Sequence, residues 1–201
     1  MRFKATIVAV GLAVGLTVGL AVGLGACASS SSKSAASTTT TTSATKKPTA
    51  ALEVSPDSGL VNMQTVSVTG SGFTAGSPGN MLECNADPKQ PTVALPAPVN
   101  STVSVGCSAP STSALATTTS TGTLSTTYKI VQGTVGPPCG SSGALVAQCP
   151  ATDSTGTAPA ADAAAYPCPP TPTQQAAGIS CVLTFGDAAG ETASSRIAFS
   201  G

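Results

Sequence analysis

Short runs of alternating residues, separated by turn-forming residues, restrict the fold of this chain more than any other feature. In "TVSVTGSGF", Val66 and Val68 occupy one face of an extended chain, and Ser67 and Thr69 occupy the other. Beyond residue 50, Gly, Pro, Ser and Asn interrupt such runs, and no segment combines a 3.6-residue apolar period with good helix formers. Alternation with one polar face is typical of antiparallel sheets. The sequence therefore predicts an all-β antiparallel sandwich.

Four further runs support this reading and predict which side chains point inward. They are "ALEVSP" at residue 51, "TLSTTYKIV" with Leu124, Thr126, Tyr128 and Ile130 on one side, "ISCVLTF" with Ile179, Cys181, Leu183 and Phe185, and "SSRIAFS" with Ile197 and Phe199 inward and Arg196 outward. The chain has no tryptophan and few other aromatic residues. Because an aliphatic core buries less area per residue, we expect covalent crosslinks to matter for its stability.

Residues 1–26 have the composition of an export signal. Arg2 and Lys4 precede an uncharged apolar run, residues 5–26, which is also long enough for a transmembrane helix. However, "LGAC" at residues 24–27 resembles the lipobox of bacterial lipoproteins, and serines rather than a basic cluster follow it. We therefore predict a lipoprotein signal peptide. Cys27 would carry the lipid, with acyl chains such as palmitate, and anchor the exported chain to the outer face of the cell membrane.

The rest of the chain divides into a tether and one domain. Residues 27–50 are rich in Ser and Thr and cannot bury apolar area, so we predict a disordered tether that starts at the lipidated Cys27. Residues 51–201 have the length of one domain, and we expect a monomer. This domain carries three basic and eight acidic residues, a formal charge of −5. Nucleic-acid binding is not expected, because phosphate backbones require clustered Lys and Arg.

Six cysteines remain beyond the lipidation site, and they favour disulfide bonds. They are Cys84, Cys107, Cys139, Cys149, Cys168 and Cys181. An even number in an exported chain is typical of a disulfide framework, but six cysteines allow fifteen connectivities. A zinc site is the alternative. It is disfavoured because the chain has no C-x-x-C pair and no histidine, so we predict no metal.

Residues 133–178 differ in composition from the predicted strands. Pro, Ala and Gly dominate, and only "ALVAQ" has a strand-like pattern. A connection this long without regular structure is expected to be functional or loosely ordered. We refer to residues 133–178 as the insert.

The residues needed for common catalytic sites are missing from the sequence. Without histidine there is no Ser-His-Asp or Cys-His unit. The carboxylates form no paired motif, and there is no Gly-x-Ser-x-Gly or phosphate-binding Gly-Lys loop. Asp187 in "GDAAG" is read as a turn residue. We therefore predict that the protein is not an enzyme and needs no cofactor.

Four segments in order along residues 52–201 resemble the neocarzinostatin family, the secreted apoproteins that hold enediyne chromophores. They are "LEVSPDSGLVNMQTVSVTGSGFTAG", "LECN", "STGTLSTTYKIV" and "CVLTFGDAAGETASSRIAFS". The Gly-Phe-x-x-Gly turn also recurs in IPT/TIG-type immunoglobulin-like domains, but the closing Cys strand with Asp-Ala-Ala-Gly favours the neocarzinostatin family. The resemblance implies an immunoglobulin-like sandwich of about seven strands with a two-stranded side ribbon.

The resemblance also implies a disulfide pairing. In the family, one bond closes the loop after the third strand and another pins the ribbon. These bonds correspond to Cys84–Cys107 and Cys168–Cys181 here, which leaves Cys139–Cys149 as an addition.

The implied ligand cleft departs from the family pattern. The family cleft is lined by aromatic rings, which suit a flat conjugated ligand. The corresponding segments here, residues 87–108 and 131–178, contain a single aromatic residue, Tyr166. We predict that Leu82, Leu124, Tyr128 and Tyr166 line any cleft.

Two functions remain open for a non-catalytic domain of this kind. One is a binding module for a small hydrophobic ligand, enediyne-like antibiotics included. The other is an envelope lipoprotein whose loops contact surface polymers or proteins. The first requires a concavity between sandwich and ribbon, and the second predicts that the insert fills it.

The lipobox makes a direct prediction for Cys27→Ser. Without the thiol there is no site for thioether-linked lipid, so the precursor should stay unprocessed at Ala26. Mass spectrometry of the membrane fraction would measure this, and normal cleavage with release of the variant would contradict it.

Overall fold

The structure is a computed structural model that describes residues 48–96, 101–110, 114–140 and 147–200. All of these residues belong to one compact unit, residues 45–201. The predicted signal peptide, Cys27 and most of the predicted tether lie outside the described residues. Within the described ranges, no helix is both long enough and apolar enough to cross a membrane.

Seven strands form two antiparallel sheets that face each other across a core. The first sheet has the order β1-β2-β7, with β1 at Ala51–Ser55, β2 at Thr65–Ser71 and β7 at Leu124–Lys129. The second has the order β6-β3-β8-β9, with β6 at Leu115–Thr117, β3 at Pro78–Asn85, β8 at Cys181–Asp187 and β9 at Thr192–Ile197. This is the predicted sandwich, and the mostly β composition confirms the fold class.

Alternation along the strands determines which side chains enter the core. In β2, Val66 and Val68 are buried between exposed neighbours. In β8, Leu183 and Phe185 are fully buried, and the Phe185 ring meets Phe73 edge-on, with ring centroids 5.0 Å apart. The predicted inward faces are therefore confirmed where they lie inside strands.

The outer face of the second sheet is only half-buried, because other segments lie over it. The alternate residues of β8 that point away from the core, such as Thr184, are intermediate in exposure rather than exposed. A two-stranded ribbon provides part of this cover. It pairs β4 at Thr92–Leu95 with β5 at Ser101–Ser104 in antiparallel register. A side ribbon is therefore present, but it lies within the loop that Cys84–Cys107 closes and not beside Cys168–Cys181, the bond that the resemblance implied would pin it.

The insert is more ordered than its composition indicates. Its described residues contain two short helices, α1 at Pro159–Ala163 and α2 at Pro172–Ala176. Cys139 and Ala163 pack with Val93, Leu95 and Val105 into a second apolar cluster between the insert and the ribbon. The described part of the insert is therefore ordered, because close packing of small residues and prolines replaces periodic burial.

One glycine makes this close packing possible. A Cβ on Gly136 would collide with the carbonyl oxygen of Val105, next to the ribbon. The neighbouring Pro138 is fully buried. The chain at this point can approach the ribbon backbone only because residue 136 has no side chain.

The structure contains three disulfides, and their pairing is the one implied by the family resemblance. Cys84–Cys107 joins the end of β3 to the turn after the ribbon, Cys168–Cys181 joins the end of the insert to β8, and Cys139–Cys149 lies within the insert. The Cys84–Cys107 bond therefore ties the ribbon to the second sheet, whereas Cys168–Cys181 lies in the main core.

Removal of Cys84–Cys107 should destabilise the domain as a whole. This bond closes a loop with a sequence separation of 23 residues, and the chain-entropy model gives about 3 kcal/mol for a loop of that size. We expect Cys84→Ala/Cys107→Ala to lower the free energy of unfolding by about this amount in urea denaturation.

Cys139→Ala/Cys149→Ala is the matched comparison. Because that bond lies within the insert, its loss should mainly increase amide exchange there while the sandwich stays protected. If both variants lost protection from amide exchange equally across the two sheets, the predicted difference between the two disulfides would be contradicted.

Candidate binding cleft

A cavity of about 390 Å³ lies between the ribbon and the outer face of the second sheet. Its lining residues come from β3, β8, β9, the ribbon, the segment after the ribbon and the insert. They are Asn80, Leu82, Leu95, Ser101, Val103, Pro110, Pro138, Thr184, Gly186, Asp187 and Thr192. Five of these eleven residues are Leu, Val or Pro and five are polar, so the cavity combines apolar surface with polar groups, as small-molecule sites do.

Two rows of residues across the second sheet form the cleft floor. In one row Leu82 lies opposite Thr184, which lies opposite Ser194. The Thr184 and Ser194 hydroxyl oxygens are 2.7 Å apart and hydrogen-bonded. The strand pattern explains why these side chains point outward, since Met81 and Glu83 on either side of Leu82 are fully buried.

Gly186 creates the concavity in the second row. It lies between Asn80 on β3 and Thr192 on β9. A Cβ at residue 186 would meet only the Thr192 Cγ2 atom, at an ordinary contact distance of 3.4 Å. Space above the sheet is therefore left open because the central position of the row has no side chain.

Asn80 brings an unsatisfied acceptor to this row. Its Oδ1 atom is buried and has no hydrogen-bond partner among the described residues. Buried polar atoms in proteins are nearly always paired, so an orphaned one in a cavity calls for a partner. A ligand with an N–H or O–H group could supply that donor.

Asp187 at the rim is already satisfied and acts as the predicted turn residue. Its Oδ1 accepts from the backbone N–H groups of Ala189 and Glu191 at 2.9 and 3.0 Å, and its Oδ2 accepts from the Thr74 N–H at 2.9 Å. Desolvation raises the pKa of this carboxyl, but these hydrogen bonds outweigh it and hold the pKa below its ordinary value. Asp187 therefore fixes the turn and offers no free acceptor to a ligand.

The four residues predicted from the sequence to line a cleft do not meet in one cavity. Leu82 lines the cleft described above. Leu124 is only 3% exposed and belongs to the main core. Tyr128 lines a different cavity, and Tyr166 packs against the cluster of ribbon and insert. The predicted set therefore requires correction, because alternation alone does not tell a core-facing residue from a cleft-facing one.

The second cavity has a volume of about 530 Å³ and lies beside the end of β7. Tyr128, Ser108, Val131 and Met63 are among its lining residues. The Tyr128 hydroxyl is 3.4 Å from the Ser108 hydroxyl. No basic or acidic group other than Lys129 lines this cavity among the described residues.

Glu83 is a buried carboxyl that no motif in the sequence identifies. Its side chain is fully buried, its Oε2 accepts from the Val131 N–H at 2.9 Å, and its Oε1 has no partner among the described residues. Desolvation raises its pKa from 4.5 to about 7, and the hydrogen bond from Val131 offsets only part of this. The only indication in the sequence was that Glu83 lies two residues after Met81, and therefore on the same face of β3.

The family resemblance is confirmed by comparison with known proteins. Residues 52–199 match the sequence model described as the neocarzinostatin family. Among solved structures, macromomycin is 20% identical, with a TM-score of 0.42, and the match covers 75% of this chain and 98% of macromomycin. Apokedarcidin is also 20% identical, with a TM-score of 0.31, and the match covers 76% of this chain and 99% of apokedarcidin. No curated protein matches the chain.

The raised pKa of Glu83 predicts a specific dependence of stability on pH. Because the folded-state pKa is about 7 and the ordinary value is 4.5, the folded state binds more protons between these values. The contribution of the Glu83 carboxyl to the free energy of unfolding is complete below pH 4.5. It falls by about 3 kcal/mol as the pH rises through 7. Glu83→Gln should remove this loss in chemical denaturation between pH 5 and 8.

Glu53→Gln is the control for the Glu83 test, because the Glu53 side chain is exposed on β1. The free energy of unfolding of Glu53→Gln should depend on pH in the same way as that of the wild type. An identical pH profile for wild type and Glu83→Gln would show that Glu83 does not titrate in this range.

Proposed function

Since the chain belongs to the neocarzinostatin family, we propose that its domain is a non-catalytic binding module whose cleft holds a small hydrophobic ligand. The observation that carries this proposal is the open cavity of about 390 Å³ between ribbon and sheet. If the domain served only as a surface spacer, the insert would be expected to fill this space. Among the described residues, the insert contributes Pro138 to one wall and does not fill the cavity.

The ligand we propose is aliphatic rather than flat and aromatic. No aromatic side chain is among the described residues that line the cleft, so a planar conjugated guest would lack ring partners for stacking. Leu82, Leu95 and Val103 instead offer branched aliphatic surface. Such surface suits a compact, saturated molecule, which gains from burial of apolar area alone.

We propose further that the ligand donates one hydrogen bond to Asn80. The buried Asn80 Oδ1 has no other partner among the described residues. A hydroxyl or amide N–H on the ligand would remove the cost of that unpaired acceptor, and a matched hydrogen bond is worth about 1 kcal/mol net. This single polar contact would fix the orientation of an otherwise apolar guest.

We also propose that the domain is held at the cell surface through lipid on Cys27. The support is the "LGAC" sequence and the Ser- and Thr-rich segment after it. Two acyl chains make such attachment stable, at about 0.8 kcal/mol per buried methylene. A tethered, monomeric binding module would capture hydrophobic molecules at the envelope instead of carrying them away.

Binding of an enediyne-like antibiotic is the second candidate function. Family membership favours it, and the aliphatic lining of the cleft disfavours it because the usual ring partners are missing. Loss of several stacked pairs, each worth about 0.5–1.5 kcal/mol, would reduce affinity by two to three orders of magnitude, at about 1.4 kcal/mol per tenfold. The two candidates therefore differ in the shape of the preferred ligand.

Calorimetry with residues 45–201 and two alcohols of equal carbon number can decide between them. Borneol is a compact saturated alcohol, and 2-naphthol is a flat aromatic one. We expect borneol to bind with a Kd of about 10⁻⁴ M, roughly tenfold more tightly than 2-naphthol. Tighter binding of 2-naphthol would favour the enediyne-like candidate instead.

Two variants test whether the cleft is responsible for this binding. Gly186→Leu should abolish it, because the new side chain enters the cavity without a backbone clash. Asn80→Ala should lower the affinity for borneol by about fivefold, because the hydrogen bond to Asn80 is lost. Val131→Ala, in the second cavity, is the control and should bind as wild type does. Unchanged binding in Gly186→Leu would refute the cleft as the site.

A further inference from the structure

Two turns in the domain share the pattern Asp-x-x-Gly-x and the same hydrogen bonds. In "DAAGE", Asp187 Oδ1 accepts from the N–H groups of Ala189 and Glu191. In "DSTGT", Asp153 Oδ1 accepts from the N–H groups of Thr155 and Thr157 at 2.8 and 3.3 Å. The Asp N–H also donates to the carbonyl of the fifth residue in both turns, at 2.9 and 2.8 Å. The first turn is therefore an internal reference for the second.

The two turns differ in the second carboxylate oxygen. Asp187 Oδ2 accepts from the Thr74 N–H at 2.9 Å. Asp153 Oδ2 is buried and has no partner among the described residues, and Asp153 as a whole is only 8% exposed. An unpaired, buried carboxylate oxygen is unfavourable. The turn at Asp153 therefore lacks a positive or donating group that the turn at Asp187 has.

A second carboxylate, that of Asp162, shares a hydroxyl donor with Asp153. The Thr155 Oγ1 atom is 2.7 Å from Asp153 Oδ1 and 3.0 Å from Asp162 Oδ2. The hydroxyl has one proton and can donate to only one of these oxygens at a time. Two acceptors thus share one donor.

Neither Asp153 nor Asp162 has a Lys or Arg partner among the described residues. Desolvation raises the pKa of Asp153, but hydrogen bonds from Thr155 and Thr157 hold the pKa below its ordinary value. The Asp153 carboxyl is therefore an anion that shares a hydroxyl donor with a second acidic group.

We propose that Asp153 and Asp162 bind a calcium ion. Carboxylate and hydroxyl oxygens are the ligands that Ca²⁺ prefers, and its flexible coordination of six to eight oxygens tolerates an irregular site. Asp153 Oδ2, the Asp162 carboxylate and the Thr155 hydroxyl are the protein ligands. Thr155 and Thr157 are exposed, so water can complete the shell.

The number of carboxylates sets the expected affinity. Among the described residues there is no group of three or more His, Cys, Asp or Glu side chains that could hold a metal ion, so this site has two acidic ligands. Few charged ligands give weak binding, about 10⁻⁴–10⁻³ M as in extracellular calcium modules. The ion would hold the insert to the ribbon, because Ser154 exchanges hydrogen bonds with the backbone of Thr92 at 2.9 and 3.0 Å.

Thermal unfolding of the full-length chain in detergent, with disulfides intact, tests the proposal. Addition of about 10 mM CaCl₂ should raise the Tm by about 3–10 °C, and chelation with EDTA should reverse it. Asp153→Asn and Asp162→Asn should each remove this response and also remove the calorimetric heat of Ca²⁺ binding. Two separate variants keep the test valid if one of them folds poorly.

Asp187→Asn is the matched control from the reference turn. It should lower the Tm through loss of its own hydrogen bonds but keep the full response to Ca²⁺. A wild-type chain that does not respond to Ca²⁺, or a response that survives in both Asp153→Asn and Asp162→Asn, would overturn the proposal. In a Glu83→Gln background, a Tm that rises with acid but not with Ca²⁺ would mean that the two carboxyls share a proton.

Discussion

The ribbon lies over the outer face of the second sheet, and the cleft exists only while it stays there. Each ribbon strand has four residues, and a two-stranded hairpin of that size is marginal on its own in water. The Cys84–Cys107 bond fixes the ribbon base to β3, and the insert supplies the apolar cluster behind it. Covalent attachment and packing by the insert therefore hold open a space that the ribbon alone could not maintain.

This arrangement has consequences for binding. A cleft with fixed walls loses little conformational entropy when a ligand enters, so more of the gain from apolar burial appears as affinity. Gly186 makes the floor concave, and Pro138 and Pro110 add rigid walls. The same rigidity selects by shape, since branched aliphatic walls cannot supply the ring faces that a flat guest needs. We therefore propose that the lining residues of this chain determine the kind of ligand.

Much of the fold was predictable because burial in a sandwich follows a period of two. Val66, Val68, Leu183 and Phe185 were assigned correctly to the core from alternation alone. The structure of the insert was not predictable in this way, because its buried residues, such as Pro138 and Ala163, are held by a disulfide and by close backbone approach. Neither cause leaves a periodic pattern in a sequence. The cysteine pairing was predicted from the family resemblance, because the spacing of cysteines along a sequence does not show which of them lie close together in the fold.

The cleft residues were harder to predict for a related reason. β3 and β8 are covered on both faces, and alternation does not tell which face meets the core. Leu124 was assigned to the cleft but lies in the core, whereas Gly186 and Asn80 shape the cleft and carry little apolar signal. An asparagine between the apolar positions of a covered strand was the available clue.

Methyl-detected NMR of residues 45–201 with saturating borneol tests the central claim most directly, namely that the space between ribbon and sheet is the binding site. The account predicts that the largest shift changes occur at Leu82, Leu95 and Val103, with intermolecular contacts from the ligand to Thr192. Met63 and Val131, beside the second cavity, should be unaffected. Shift changes centred on Met63 and Val131, with Leu82 and Val103 unmoved, would contradict it.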